Sequence, residues 1–136
     1  LLSLDQAVDL IEWAYEDDNS HGKIAVPHVK SFKITSIAKA LIKKYKLTDK
    51  VELKTIGIRP GEKIHEEMIS ENDSFTTFDI GNYYIILPAQ NKNLIGRYKK
   101  FKIKKVQPNW RYSSGTNSKF LDIKELRSLI KNNVKD

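Results

Sequence analysis

Val51-Glu52-Leu53-Lys54-Thr55-Ile56-Gly57-Ile58, then Arg59-Pro60-Gly61, then Glu62-Lys63-Ile64-His65-Glu66-Glu67-Met68-Ile69, is the stretch on which the reading of this chain turns. Val51 to Ile58 carries β-branched and aliphatic residues and predicts a strand. Pro60-Gly61 predicts a turn, and Glu62 to Ile69 favours helix. Arg59 then stands at the lip of a strand-to-helix junction. Such a junction offers an anion a guanidinium fork together with the unpaired N–H groups that open a helix, so a phosphate-bearing ligand is the chemistry it fits. The same local pattern also fits a surface arginine beside an ordinary Pro-Gly turn.

Working outward, the pattern is mixed α and β. Ser3 and Gln6 form a capping box for a first helix in which Leu4, Ala7, Val8, Ile11, Ala14 and Tyr15 recur at spacings of three and four as one apolar face. Asp17 to Gly22 ends it, with Asp17-Asp18 read as a solvated helix end, and Ile24-Ala25-Val26 predicts a short strand before Pro27. A second helix is expected from about Thr35 to Tyr45, with Ile34, Ile37, Ala38, Leu41 and Ile42 facing inward. Phe75 to Ile80 and Tyr83 to Leu87 flank Gly81-Asn82, a two-residue hairpin signal. Asp122 with Glu125 caps a last helix carrying Ile123, Leu126, Leu129 and Ile130. The expected architecture is one α/β (mixed α+β) domain over residues 1–136, a small sheet with packed helices and an incomplete core.

Composition limits the function. At 136 residues there is room for one modest domain or a piece of a larger one, and 30% charged against 40% apolar residues fits a globular chain. No apolar run is long enough to span a bilayer, and no secretory signal is visible. The absence of cysteine excludes disulfides, thiolate catalysis and Cys-based zinc sites, and is compatible with the cytoplasm, the expected location. A helix cap at the first residues predicts that the chain begins at a truncation point.

The wording of Gly57-Ile58-Arg59-Pro60-Gly61-Glu62-Lys63-Ile64-His65-Glu66 resembles the C-terminal half of the inverting UDP-N-acetylglucosamine 4,6-dehydratases, CapD-like polysaccharide biosynthesis proteins of the extended short-chain dehydrogenase/reductase family. Further segments are similar in the same order: Leu4 to Leu10, Ile34-Thr35 leading into Ile37 to Ala40, Tyr83 to Pro88, Tyr112 to Asn117, Phe120-Leu121 and Glu125 to Arg127. The resemblance covers nearly the whole chain, and 59–67 is its most specific part. It implies the C-terminal substrate-binding subdomain, without the Rossmann domain. In the family NADP takes hydride from C4 of a UDP-N-acetylhexosamine, water leaves across C5 and C6, and hydride returns to C6, with inversion at C5 in the most similar subgroup. The resemblance implies that Arg59 neutralises the diphosphate. Glu62 orients Arg59, meets a ribose hydroxyl or caps the helix. Tyr112 to Asn117, with Tyr112 and Asn117 as the contacts, forms a polar loop near the substrate or a turn without ligand contact. His28 stands where this family usually has Lys, and Lys30 where it commonly has Pro, which puts substrate contacts from that loop in doubt.

What the sequence lacks is equally informative. No Gly-x-x-Gly-x-x-Gly follows a strand, so these residues carry no dinucleotide phosphate cradle. Tyr98 and Lys102 match the Tyr-x-x-x-Lys spacing, but inside an apparent strand, where residues four apart are too distant for a compact acid-base pair. The expectation is that no catalytic or NADP-binding residue lies in this chain, which alone is inactive. A missing Rossmann domain then docks on an exposed apolar patch larger than a typical monomer shows. A homo-oligomer is expected at full length.

Other constellations carry less. His65-Glu66-Glu67-Met68-Ile69 begins like a zinc-protease helix but has Ile69 at the second histidine position, and three histidines scattered along the chain make no metal site. His65 reads as a partly buried or surface helix residue. The net charge of +7 and the run Arg97, Lys99, Lys100, Lys102, Lys104, Lys105 and Arg111, alternating with Phe101, Ile103 and Val106, form a second hypothesis. Tyr98, Trp110 and Tyr112 would stack on bases, making a small basic nucleic-acid-binding module. The competing explanation is a lysine-rich edge strand whose charges discourage aggregation.

Overall fold

The computed structural model describes residues 2–16, 22–100 and 103–133. Helix α1, Leu4–Glu16, opens on the expected box: the Gln6 N–H donates to Ser3 Oγ (3.2 Å) and the Ser3 N–H to Gln6 Oε1 (3.0 Å). Its packed side differs from expectation. Trp13 stacks on Tyr83 with ring centroids 4.7 Å apart, which rotates the helix so that Ala7, Leu10, Trp13 and Ala14 turn inward. Leu4, Val8, Ile11 and Tyr15 form a stripe facing solvent, Tyr15 at 89% exposure. The indole carries the largest apolar surface on the helix, so its burial sets the rotation. The expected Asp17-Asp18 helix end lies outside the described residues.

Strand β1, Ile24–Pro27, enters an antiparallel four-stranded sheet of order β1-β4-β3-β5, with β3 at Thr77–Asp79, β4 at Tyr83–Ile86 and β5 at Lys104–Lys105. The β3–β4 hairpin turns where Gly81-Asn82 predicts. The Ile80 N–H donates to Tyr83 O (3.0 Å), and Asp79 Oδ1 accepts from the N–H of Gly81, whose φ of 103° suits glycine. The strands are shorter than expected because Phe75 and Thr76 belong to a 3-10 turn, Asp73–Thr76. Alternation along β4 covers both faces of the sheet. Ile85 and Leu87 join Phe78 on one face, against Trp13, Leu94, Ile95 and Tyr98, while Tyr84 and Ile86 lie beside Val26, Ile69 and Tyr112 on the other.

Helix α2, Ile34–Lys44, packs on α4, Ile123–Asn133. Ala40 and Leu126 are buried, whereas Ile34, expected inward, is exposed. The α4 cap is as predicted: the Glu125 N–H donates to Asp122 Oδ1 (2.7 Å) and the Asp122 N–H to Glu125 Oε2 (2.9 Å).

Two expected elements are absent. Residues 51–58 form no strand: they are exposed, and no described strand pairs with them. A β-rich stretch that joins no sheet edge leaves its backbone groups to water. Residues 62–69 form no helix. The Glu62 N–H closes the Pro-Gly turn onto Arg59 O (3.1 Å), the chain bends at Ile64 and His65, and Glu67–Ile69 becomes β2. This strand pairs with β6, Tyr112–Ser113, across a bulge at Met68. Arg111 locks the pair, its Nε 3.0 Å from Glu67 Oε2 and its Nη2 2.9 Å from Glu71 Oε1, and Ile69 is wholly buried. Burial and pairing outweigh the helix preference of Glu and Lys. The expected strand around Tyr98 is also replaced: Tyr98 lies on α3, Lys92–Lys100, with its ring 5.4 Å from Phe78. Leu94, Ile95 and Tyr98 bury at helical spacing, so only Lys104-Lys105 remains of the strand, and Lys102 lies outside the described residues.

Candidate functional site

Arg59 and Glu62 occupy an open turn. Glu62 Oε2 accepts from the Arg59 N–H (2.9 Å), and Glu62 Oε1 stands 4.0 Å from Arg59 Nε. Glu62 therefore closes the turn on the Arg59 backbone and caps no helix. The arginine side chain is 71% exposed and its guanidinium available to an anion, without the reinforcement of a helix N-terminus. Gly57 and Gly61 have φ of 83° and 84°, which lets the chain reverse on both sides of Arg59.

Tyr112 and Asn117 lie elsewhere, against the loop that follows β1. The Tyr112 hydroxyl accepts from the Val29 N–H (2.8 Å) and donates to Val29 O (2.9 Å). Asn117 Nδ2 donates to Val29 O (2.8 Å) and Ser31 Oγ (3.1 Å), while its Oδ1 accepts from the Lys119 N–H. Their polar atoms are committed to Val29, Ser31 and Lys119 within the fold, so these side chains shape a wall. They line a cavity of about 370 Å³ together with His28, Tyr84, Trp110 and Lys119. Arg59 and Glu62 are not among its lining residues.

Tyr84 is the hub of that cavity, its ring centroid 4.0 Å from His28, 4.9 Å from Trp110 and 5.1 Å from Tyr112. Burial raises its phenol pKa, with Asp79 and then Tyr112 adding to the shift. Burial lowers the imidazole pKa of His28, opposed by Asp79, whose Oδ1 lies 3.4 Å from Nε2, and assisted by Lys119. His28 Nε2 has no hydrogen-bond partner among the described residues. A neutral imidazole is the form this setting favours. Lys30, the other departure in the loop, pairs with Glu125 on α4. The sequence named Tyr84 only within the segment Tyr83 to Pro88, although the alternation of β4 held the signal for its inward-facing ring.

The basic run is dispersed over α3, the edge strand and Arg111, whose guanidinium is taken by carboxylates, while Trp110 and Tyr112 pack around Tyr84. Among the described residues, the aromatic rings that the nucleic-acid alternative needs for stacking pack into the domain instead, Trp110 and Tyr112 around Tyr84 and Tyr98 on Phe78. Among the described residues no group of three or more His, Cys, Asp or Glu could hold a metal ion, and no helix is long and apolar enough to cross a membrane.

The polysaccharide biosynthesis protein family matches residues 1–88. The chain belongs to that family. The inverting UDP-N-acetylglucosamine 4,6-dehydratase of Campylobacter jejuni is 35% identical over 136 residues, covering 95% of this chain and 38% of that protein. The UDP-glucose 4-epimerase of Rickettsia felis is 35% identical over 135 residues, 97% of this chain and 38% of that protein. The chain thus spans about 38% of the length of these curated relatives. The X-ray structure of Pen from Bacillus thuringiensis superposes with a TM-score of 0.76 at 21% identity, covering 98% of this chain and 36% of that one, which establishes a shared mixed α/β fold.

Proposed function

We propose that residues 1–136 form, as one domain, the UDP-sugar-binding part of a C5-inverting UDP-N-acetylglucosamine 4,6-dehydratase, a lyase of surface polysaccharide or glycan sugar biosynthesis. The observation that carries this reading is the 35% identity to the Campylobacter jejuni dehydratase across 95% of the chain. The part of the protein beyond these residues holds NADP and the redox residues, and the apolar stripe of α1 docks against it. The full-length protein is a cytoplasmic homo-oligomer. Within this chain Arg59 meets the diphosphate, Glu62 fixes the arginine, and Tyr112 and Asn117 hold the loop after β1 that borders the site. The domain anchors the nucleotide so that the hexose faces the nicotinamide, work of orientation rather than bond breaking.

The Rickettsia felis relative favours a second reading, a UDP-glucose 4-epimerase, with the same nucleotide handle. Full-length protein incubated with UDP-N-acetylglucosamine and NADP separates the two, since a dehydratase releases a 4-keto-6-deoxy sugar nucleotide with inverted C5. Interconversion of UDP-glucose and UDP-galactose without loss of water would replace the first reading by the second. In either enzyme, Arg59→Ala removes charge-assisted hydrogen bonds of about 1.5–3 kcal/mol, which weakens UDP-sugar binding roughly tenfold to a hundredfold. Arg59→Lys recovers only part, because the ammonium lacks the two-pronged geometry. NADP affinity is unchanged in both variants. Equal UDP-sugar affinity in wild type and Arg59→Ala would remove the central residue of this proposal.

A further inference from the structure

The turn bearing Arg59 and the loop from Tyr112 to Asn117 belong to separate stretches of chain, and one cluster joins them. The Ser114 N–H donates to Glu66 O (2.8 Å), and the Glu66 N–H donates to Ser114 Oγ (3.1 Å). His65 Nδ1 lies 3.3 Å from the same Ser114 Oγ. The imidazole also rests on Gly115: a Cβ there would stand 2.8 Å from His65 Cγ and 2.9 Å from Cδ2, closer than real side chains approach. Gly115 is not among the residues with positive φ, so space rather than backbone conformation requires the glycine. The ring is thereby held at one nitrogen and along one side. Upstream, residues 51–64 are exposed throughout. His65 is the point at which this segment is fastened to the body of the domain.

We infer that His65 is a positioning residue, seated on Gly115 and tethered by Ser114, that sets where the Arg59 turn stands relative to the loop of residues 112–117 and so where Arg59 meets a nucleotide diphosphate. This rests on the UDP-sugar reading. An arginine on an exposed turn pays ordering entropy each time it engages an anion, and a ring packed six residues downstream reduces the conformations that must be lost. Glu62 closes the near side of the turn and His65 fastens the far side.

The test is made in the full-length protein. Gly115→Ala drives a methyl group into the imidazole, and His65→Ala removes the tether. Each raises KM for the UDP-sugar roughly tenfold, as misplacement of a binding group does, while kcat and NADP affinity stay within about twofold. The double variant is no worse than His65→Ala alone, because with the ring gone the methyl group has nothing to strike. His65→Asn restores part of the affinity, since its amide reaches Ser114 Oγ from nearly the position of Nδ1. A purely structural contact would instead lower Tm and weaken both ligands in parallel, and that result overturns the inference. Arg59→Ala run alongside separates two failures. If Arg59→Ala weakens UDP-sugar binding and the His65 and Gly115 variants do not, the positioning role falls while the UDP-sugar reading stands. If Arg59→Ala also has no effect, the reading beneath it falls too.

Discussion

His28 sits where a ring and a carboxylate meet, and its titration is coupled to the fold. Burial holds its pKa below the ordinary 6.5 despite Asp79 nearby, so between the two values the folded chain binds fewer protons than the unfolded one. The stability this contributes is complete above 6.5 and is lost as pH falls through the lowered folded value. Glu125 has the same sign in a lower window. The Lys30 hydrogen bond, then the Asp122 N–H, hold its carboxyl below 4.5, so its contribution disappears only as pH falls beneath that value. His28→Gln should therefore abolish the first decline in Tm on acidification and leave the second, as thermal unfolding at successive pH values will show. An unchanged first decline would mean that another group titrates there. Tyr112 and Asn117 mark how far single residues were legible. Their place in a recurring motif drew notice, but a hydroxyl bonded to Val29 across 83 residues of chain leaves no local trace.

Elements whose signals are local were readable. Both capping boxes and the Gly81-Asn82 hairpin formed as their residues predict, because each is decided by side chains within three positions of one another. The stretch 51–69 was misread because strand and helix are decided there by partners: an edge for 51–58 and β6 for 67–69. The basic run failed for a related reason, since Leu94, Ile95 and Tyr98 find a helical face against Phe78. The α4 cap gives an element-scale prediction. Asp122→Ala frees the N–H groups at the start of a helix that packs on α2, and should lower stability by about 1 kcal/mol in urea unfolding at neutral pH. A midpoint unchanged within error would mean that water replaces the carboxylate at no cost.

Across the whole molecule the halves of the chain are interleaved. Residues 2–44 supply α1, β1 and α2, yet β1 pairs with β4 and α2 packs on α4, both from beyond the open excursion at 51–66. Both faces of the sheet carry residues from the two sides of that excursion, Val26 beside Ile69 and Tyr112 on one and Trp13 beside Phe78 and Leu94 on the other. An exposed stretch outside any helix or strand is also where a protease finds its substrate. Trypsin should nick first after Lys54 or Lys63 and spare Arg59, whose following bond belongs to Pro60. The severed pieces should nonetheless travel together in size-exclusion chromatography and part only in denaturant, because the β1–β4 ladder and the α2–α4 contact cross the break. Separation without denaturant would show that the covalent link was needed to hold the two together. Persistence of the nicked pair would make this protein a split assembly in waiting, one that two separately expressed polypeptides could rebuild around the same hydrogen bonds.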